Sequence, residues 1–187
     1  MTGKGGSEDL KTIVALATGS LPSGIAIVRM SGPRALELGQ QVSSRFPENP
    51  SELKTTGFID PADWSVIDRG MVCWFAGPNS HTGEDVCELH LHGGAAVVGK
   101  ILSVLTDCGA RLAEAGEFTR RAFENGKMDL TGIEGLADLL AAETEAQRRL
   151  AVRLASDEMH RRVAAWRESL VRSRALLEAE FDFADEE

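Results

Sequence analysis

Residues 83–94 read GEDVCELHLHGG, which sets one carboxylate and two imidazoles at alternate positions ahead of a glycine pair. In a strand, alternate residues share a face. Val86, Glu88, His90 and His92 then lie on one side, and Cys87, Leu89 and Leu91 on the other. The three polar groups converge and span about 13 Å. Three chemistries fit. An H-x-H pair beside a carboxylate can bind zinc or iron, but such a site needs a further ligand. The remaining histidines, His81 and His160, fall in a loop and on a helix. A solvated strand face is the plain alternative. A pocket for an organic ligand is the third, with Glu88 as its anchor, His92 on its lining, and Gly93-Gly94 letting backbone approach the ligand at a helix start.

Other segments carry weaker signals. Residues 94–101, GAAVVGKI, nearly match the phosphate-loop pattern, but Ile101 replaces the magnesium-binding hydroxyl. Its middle residues already follow helical spacing, so no nucleotide site is expected there. Arg29 ends a buried-looking strand, and arginine is rarely buried without a partner. Asn125-Gly126-Lys127 reads as a helix stop with an exposed lysine.

These groups need elements to hold them. TIVALA (12–17) and GIAIVRM (24–30) are short Ile/Val runs and read as buried strands. Ser31-Gly32-Pro33 is expected to open a helix, with a capping hydroxyl and an early proline, running to about residue 46. Strands are expected at 55–60, 69–75 and 84–91. A helix follows through Val97, Ile101, Val104 and Cys108, closed by Gly109. A short strand near 110–113 and a short helix over 118–123 complete this part. Thr131-x-x-Glu134 and Thr144-x-x-Gln147 are capping boxes. They predict a helix over 132–142 and then one of about 35 residues, about 50 Å long, with Val152, Val163, Trp166, Leu170, Leu177 and Phe181 on its stripe. A single core cannot cover that length, so another domain or chain is expected against it. Strands and helices in mixed order point to an α+β fold rather than a doubly wound sheet. The expected organisation is a flexible leader at 1–11, an α/β domain at 12–124 and a helical segment at 125–187.

Composition bounds the function. The 187 residues carry a net charge of −9, which disfavours a bulk electrostatic grip on nucleic acid or an anionic membrane. The long helix is locally basic, with eight arginines against four acids over 144–177, and reads as a solvated face with i, i+4 pairs. Three separated cysteines (Cys73, Cys87, Cys108) form no C-x-x-C, so neither a disulfide framework nor a zinc ribbon is implied, and a reducing cytoplasm fits. No run reaches membrane-span length, and the start has no secretory core.

Taken together, TIVALAT, GIAIVRMSG, WFAGPNSHTGEDVCELHLHGG, AGEFTRRAFENGKMDLTGIEGLADLL and FDFADEE resemble the MnmE (TrmE) family of tRNA-modification GTPases over residues 12–187. The resemblance implies an N-terminal folate-binding, aminomethyltransferase-like domain that forms the homodimer, then the first part of a helical domain. The GTPase domain would follow after FDFADEE. GTP, magnesium and potassium would therefore belong to that absent part, and no GTPase activity is expected of this chain alone. An MnmG-like flavoprotein and the wobble uridine of tRNA are the implied partners, with a tetrahydrofolate derivative of 5-formyl or methylene type as one-carbon source.

The same resemblance implies folate contacts from Arg29, Glu88 and Lys127. A pterin edge presents adjacent N–H donors for a carboxylate, while the carboxylates and ring oxygens of a folate suit the two cations. His92, Gly93 and Gly94 would line the pocket, and His90 receives no role. Family members often carry a basic residue in the loop before the second strand, whereas 18–23 here reads TGSLPS. Two rival readings remain at this point: a stand-alone folate-dependent one-carbon transferase, and a metal-binding domain using Glu88, His90 and His92.

Overall fold

The computed structural model describes residues 11–154 and 157–183, so all but the last residue of the expected leader (1–11) and the end of FDFADEE lie outside the described residues. The chain divides into two units, one ending at Lys127 and the other beginning at Met128.

The first unit is built on a six-stranded mixed sheet. In chain order the strands are β1 (Ile13–Leu16), β2 (Ser23–Ser31), β3 (Lys54–Ile59), β4 (Val66–Phe75), β5 (Val86–Gly93) and β6 (Arg111–Leu112). Their spatial order is β3-β4-β5-β2-β1-β6. All neighbours are antiparallel except β1 and β6, which run parallel. Helix α1 (Ala35–Gln41) and α2 (Ala95–Asp107) pack on one face, and α3 (Glu117–Glu124) follows β6. The architecture is α+β, as the mixed order of elements implied.

The core lies on the face that carries α1 and α2. Val28, Met30, Val72 and Leu89 from the sheet meet Leu38, Ile101 and Leu105 from the helices, and all are fully buried. Burying each such side chain contributes roughly 1.5–3 kcal/mol. Strand alternation therefore sends Arg29, Glu88 and His90 to the opposite face, away from the helices.

Several boundaries differ from expectation. Ser31 does not cap α1. It ends β2 and its hydroxyl bonds Thr82 and Glu84 instead. Helix α1 stops at Gln41, not near 46. The segment that follows bridges to the edge strand: the Ser44 amide donates to the Gly57 carbonyl at 2.9 Å, and the Ile59 amide donates to the Val42 carbonyl at 2.9 Å. Strand β5 begins at Val86, because Glu84 and Asp85 are bound in the preceding loop.

In the second unit, α4 (Leu130–Ala141) starts before the Thr131 box. Asp129 is the cap, accepting from the Gly132 amide at 2.7 Å. A carboxylate is the better N-cap acceptor and lies two residues earlier. The second box forms as read: Gln147 Oε1 accepts from the Thr144 amide at 2.8 Å, and the Gln147 amide donates back to Thr144 Oγ1 at 3.3 Å. It opens α5 (Glu145–Leu154), and α6 (Asp157–Phe183) follows. The expected single helix of about 35 residues runs through 155–156, which lie outside the described residues. Trp166, Leu170 and Phe181 on α6 are 63%, 71% and 77% exposed, an apolar stripe left uncovered among the described residues. Among the described residues no helix is long and apolar enough to cross a membrane.

Candidate functional site

Strand register brings the central pair together. Arg29 on β2 and Cys73 on β4 stand directly opposite Glu88 on β5, one on each side. Arg29 places Nε 2.8 Å and Nη2 2.7 Å from the same oxygen, Glu88 Oε1. That oxygen takes both nitrogens, and Oε2 has no hydrogen-bond partner among the described residues. His90 Nε2 lies 3.5 Å from Oε2, beyond ordinary hydrogen-bond length. The Glu88 side chain is 13% exposed and Arg29 29%. The Arg29 guanidinium carbon sits 5.8 Å from the centroid of Phe118 on α3, within cation–π range. The arrangement is a half-buried carboxylate, held by one cation and presenting one free acceptor.

The other residues of β5 separate. His92 leaves Glu88 and joins Asp68: its amide donates to Oδ2 at 2.8 Å, and its Nδ1 lies 2.9 Å from Oδ1. Burial alone would raise the Asp68 pKa, but these contacts bring it below the usual carboxylate range. Gly93 serves the sheet. A Cβ there would fall 2.1 Å from Ser23 Oγ, so glycine is needed where β2 bulges against β5. Gly94 is the N-cap of α2. Gly99 and Lys100 of the phosphate-loop look-alike are helical, and Lys100 is bound to Asp60 at 2.6 Å.

Cys73 was not among the expected site residues, yet Cys73, Glu88 and His90 bring ligand atoms within 4.8 Å of one another. Cys73 Sγ lies 3.8 Å from His90 Nε2. Burial pushes the Cys73 thiol up to about 11, and the Glu88 charge adds to that, so it is protonated at neutral pH. The Arg29 cation beside Glu88 also opposes a metal ion. His92, the ligand proposed from sequence, is committed elsewhere.

Lys127 follows α3 and lies against the loop that holds Gly83. Its amide donates to the Ala122 carbonyl at 2.7 Å, closing α3. A Cβ at Gly83 (φ +80°) would come 2.9 Å from Asn125 Cβ and 3.2 Å from Lys127 Cγ, so glycine meets both a backbone and a packing demand there. Lys127 makes no ion pair among the described residues and does not touch Glu88. His81, in the same loop, has its pKa lowered by burial and by the Arg29 charge, with Glu88 opposing.

A buried polar network holds that loop, and sequence reasoning missed it. Arg121 is 4% exposed. Its Nη1 donates to Glu84 at 3.0 Å, and its Nη2 to the Lys11 carbonyl at 2.9 Å and to Glu117 at 3.2 Å. The Thr82 hydroxyl pairs with that of Ser31, which donates its own hydrogen to Glu84, and the Thr82 carbonyl accepts from Asn125 Nδ2 at 2.8 Å. Glu117, 1% exposed, also binds Arg111 and the Glu114 amide. Burial alone would raise its pKa, but those hydrogen bonds and the Arg111 and Arg121 cations bring it down to about 2. The PNSHTGED and GEFTRRAFENGK segments are thus two halves of one lock. The signal in the sequence was an arginine with acids at i−4 and in a distant loop, indistinguishable there from surface charge.

Comparison with known proteins gives the family. Residues 12–127 match the family described as "GTP-binding protein TrmE N-terminus", and residues 130–187 match "MnmE helical domain". The chain is 53% identical over 176 residues, 94% of its length, to proteins named tRNA modification GTPase MnmE from Brucella canis, Brucella ovis and Brucella anthropi. It spans 39% of the length of these relatives. The chain belongs to the MnmE (TrmE) family, with residues 12–127 in its N-terminal region and residues 130–187 in its helical domain.

Proposed function

We propose that this chain is the N-terminal portion of a cytoplasmic tRNA-modification GTPase that acts with an MnmG-like flavoprotein on the wobble uridine of tRNA. Its α/β domain, 12–124, binds a tetrahydrofolate derivative of 5-formyl or methylene type, which supplies a one-carbon unit. That domain also forms the homodimer. GTP, magnesium and potassium belong to a GTPase domain beyond this chain, and the helical Gly99-Lys100 segment provides no substitute.

The observation that carries the folate reading is the Arg29–Glu88 pair with Glu88 Oε2 unfilled. A pterin edge offers N–H donors to that oxygen, and a two-oxygen grip follows when Arg29 swings off Oε1. Arg29 then sits beside Phe118 to face ring oxygens or carboxylates, and Lys127 adds positive charge from the Gly83 loop. Calorimetric titration with 5-formyltetrahydrofolate is the test. Glu88→Ala removes a charge-assisted contact of about 1.5–3 kcal/mol, a loss of roughly 10- to 150-fold in affinity. His90→Ala is expected to change little. Equal affinity for all three proteins would remove Glu88 from the site. The Cys73–Glu88–His90 cluster favours the metal reading as runner-up, and zinc binding abolished by His90→Ala, with no folate binding, would install it. A stand-alone transferase needs a substrate domain where this chain carries the family's helical domain.

Dimerisation has its own support. Ile25, Trp64, Val66 and Leu112 of the α/β unit are 55–73% exposed. Light scattering at tens of micromolar is expected to give twice the monomer mass, and a monomer throughout would refute it.

A further inference from the structure

A second polar feature lies at the β3 edge of the sheet, away from Glu88. A cavity of about 400 Å³ is lined by Ser44, Arg45, Thr55, Gly57, Val66 and Arg69, among others. Gly57 bridges to Ser44 on both sides: its carbonyl accepts from the Ser44 amide, and its own amide donates to Ser44 Oγ at 3.0 Å. A Cβ at Gly57 would come within 3.3 Å of Ser44 Oγ. Arg69 stands directly opposite Gly57 in the β3–β4 register. Arg45 is fixed through its backbone, whose amide donates to Thr56 Oγ1 at 3.0 Å. Neither guanidinium has a hydrogen-bond or ion-pair partner among the described residues, while most other arginines of this unit are paired with acids. Two unpaired planar cations in one cavity, in a chain of net charge −9, are a local preference for an anion.

Register links this cavity to Glu88. Cys73 pairs with Glu88, and Arg69 lies four residues earlier on the same face of β4. At about 3.3 Å per residue the two are about 13 Å apart. Between them stands the Met71–His90 pair, with Met71 41% exposed, an apolar surface on which a ring can lie. A methylene, a benzoyl ring and the first glutamyl unit cover that span, so the carboxylates added by further γ-glutamyl units are the ones that reach Arg45 and Arg69. We propose that Arg45 and Arg69 form a subsite for the carboxylates of the oligo-γ-glutamyl tail of a reduced folate whose pteridine lies on Glu88. The subsite rests on the folate reading above. A short oligocarboxylate needs only this local pair of cations, whereas a nucleic-acid backbone would face the net negative charge of the whole chain.

The test compares 5-formyltetrahydrofolate bearing one glutamate with the same compound bearing five, on the wild-type chain and on Arg45→Gln/Arg69→Gln. The wild type is expected to bind the five-glutamate form at least about tenfold more tightly at low salt. The variant is expected to lose that preference while keeping its affinity for the one-glutamate form, which also shows that it is folded. An equal preference in both proteins, or none in the wild type, overturns the subsite and leaves the Glu88 reading standing. Failure of both compounds to bind the wild type overturns the two together. A drop in tRNA binding by the variant, with the glutamate preference unchanged, reassigns the cavity to phosphate and overturns the proposal.

Discussion

Arg121→Met is expected to lower the stability of the α/β unit by about 3–5 kcal/mol, the range for removing one partner of a buried ion pair. Methionine fills much of the space, so the loss is one of charge and hydrogen bonds rather than of volume. Three acceptors lose a donor at once: Glu84, the Lys11 carbonyl and Glu117. Glu117 keeps Arg111, so the largest penalty falls on Glu84, which has only Ser31 left as a side-chain donor. Arg120, 47% exposed and only loosely paired, is the control. Arg120→Met is expected to cost at most about 1 kcal/mol. Urea unfolding followed by tryptophan fluorescence measures both, since Trp74 is half-buried and bonded to the Pro47 carbonyl. Removing the stranded charge as well, in Arg121→Met/Glu84→Met, is expected to recover part of the loss, a coupling that a purely steric defect would not give. A cost under about 1 kcal/mol for Arg121→Met would mean that the network does not hold the loop.

This network marks the limit of what the sequence disclosed. Period-two alternation placed Glu88 and His90 on one strand face, because side-chain direction in a strand needs no knowledge of neighbours. Glycine at 109 read correctly as a helix stop, since its φ of +101° is a local demand. Pairing across long connections was not legible. Cys73 meets Glu88 only through the β4–β5 register, which is set by the 76–85 loop, and that loop is set by Arg121 some forty residues downstream. His92 turns to Asp68 because β4 begins at Val66, earlier than its apolar pattern suggested. Arg121, Glu84 and Glu117 looked like surface charge, since burial of a charged side chain is a tertiary fact with no periodic signature. Arg45 and Arg69 were invisible for the same reason, as their cavity needs both the early end of α1 and the β3–β4 register.

The second large effect is on acid stability, through Glu117. Its pKa is about 2 in the folded protein against an ordinary 4.5. A depressed carboxyl pKa means that the unfolded chain binds the extra proton over the interval between the two values. The associated stability is therefore complete above about pH 5, declines as pH falls through 4.5, and is gone near 2. A difference of about two and a half units corresponds to about 3 kcal/mol, and Glu117 is almost wholly buried, so solvent screening takes little from it. Asp60, Asp68 and Glu145 are also depressed and contribute to the acid sensitivity of the wild type. Glu117→Gln isolates the one group. The amide can still accept from the Glu114 backbone, but it sets an NH2 toward Arg111 or Arg121 and carries no charge. At pH 7 the variant is expected to be less stable than the wild type by about 3 kcal/mol, and the gap is expected to narrow steadily between pH 5 and pH 2. Urea midpoints of both proteins across that range give the answer. A gap that stays constant with pH would show that Glu117 stabilises the lock by shape and hydrogen bonding alone, without its charge.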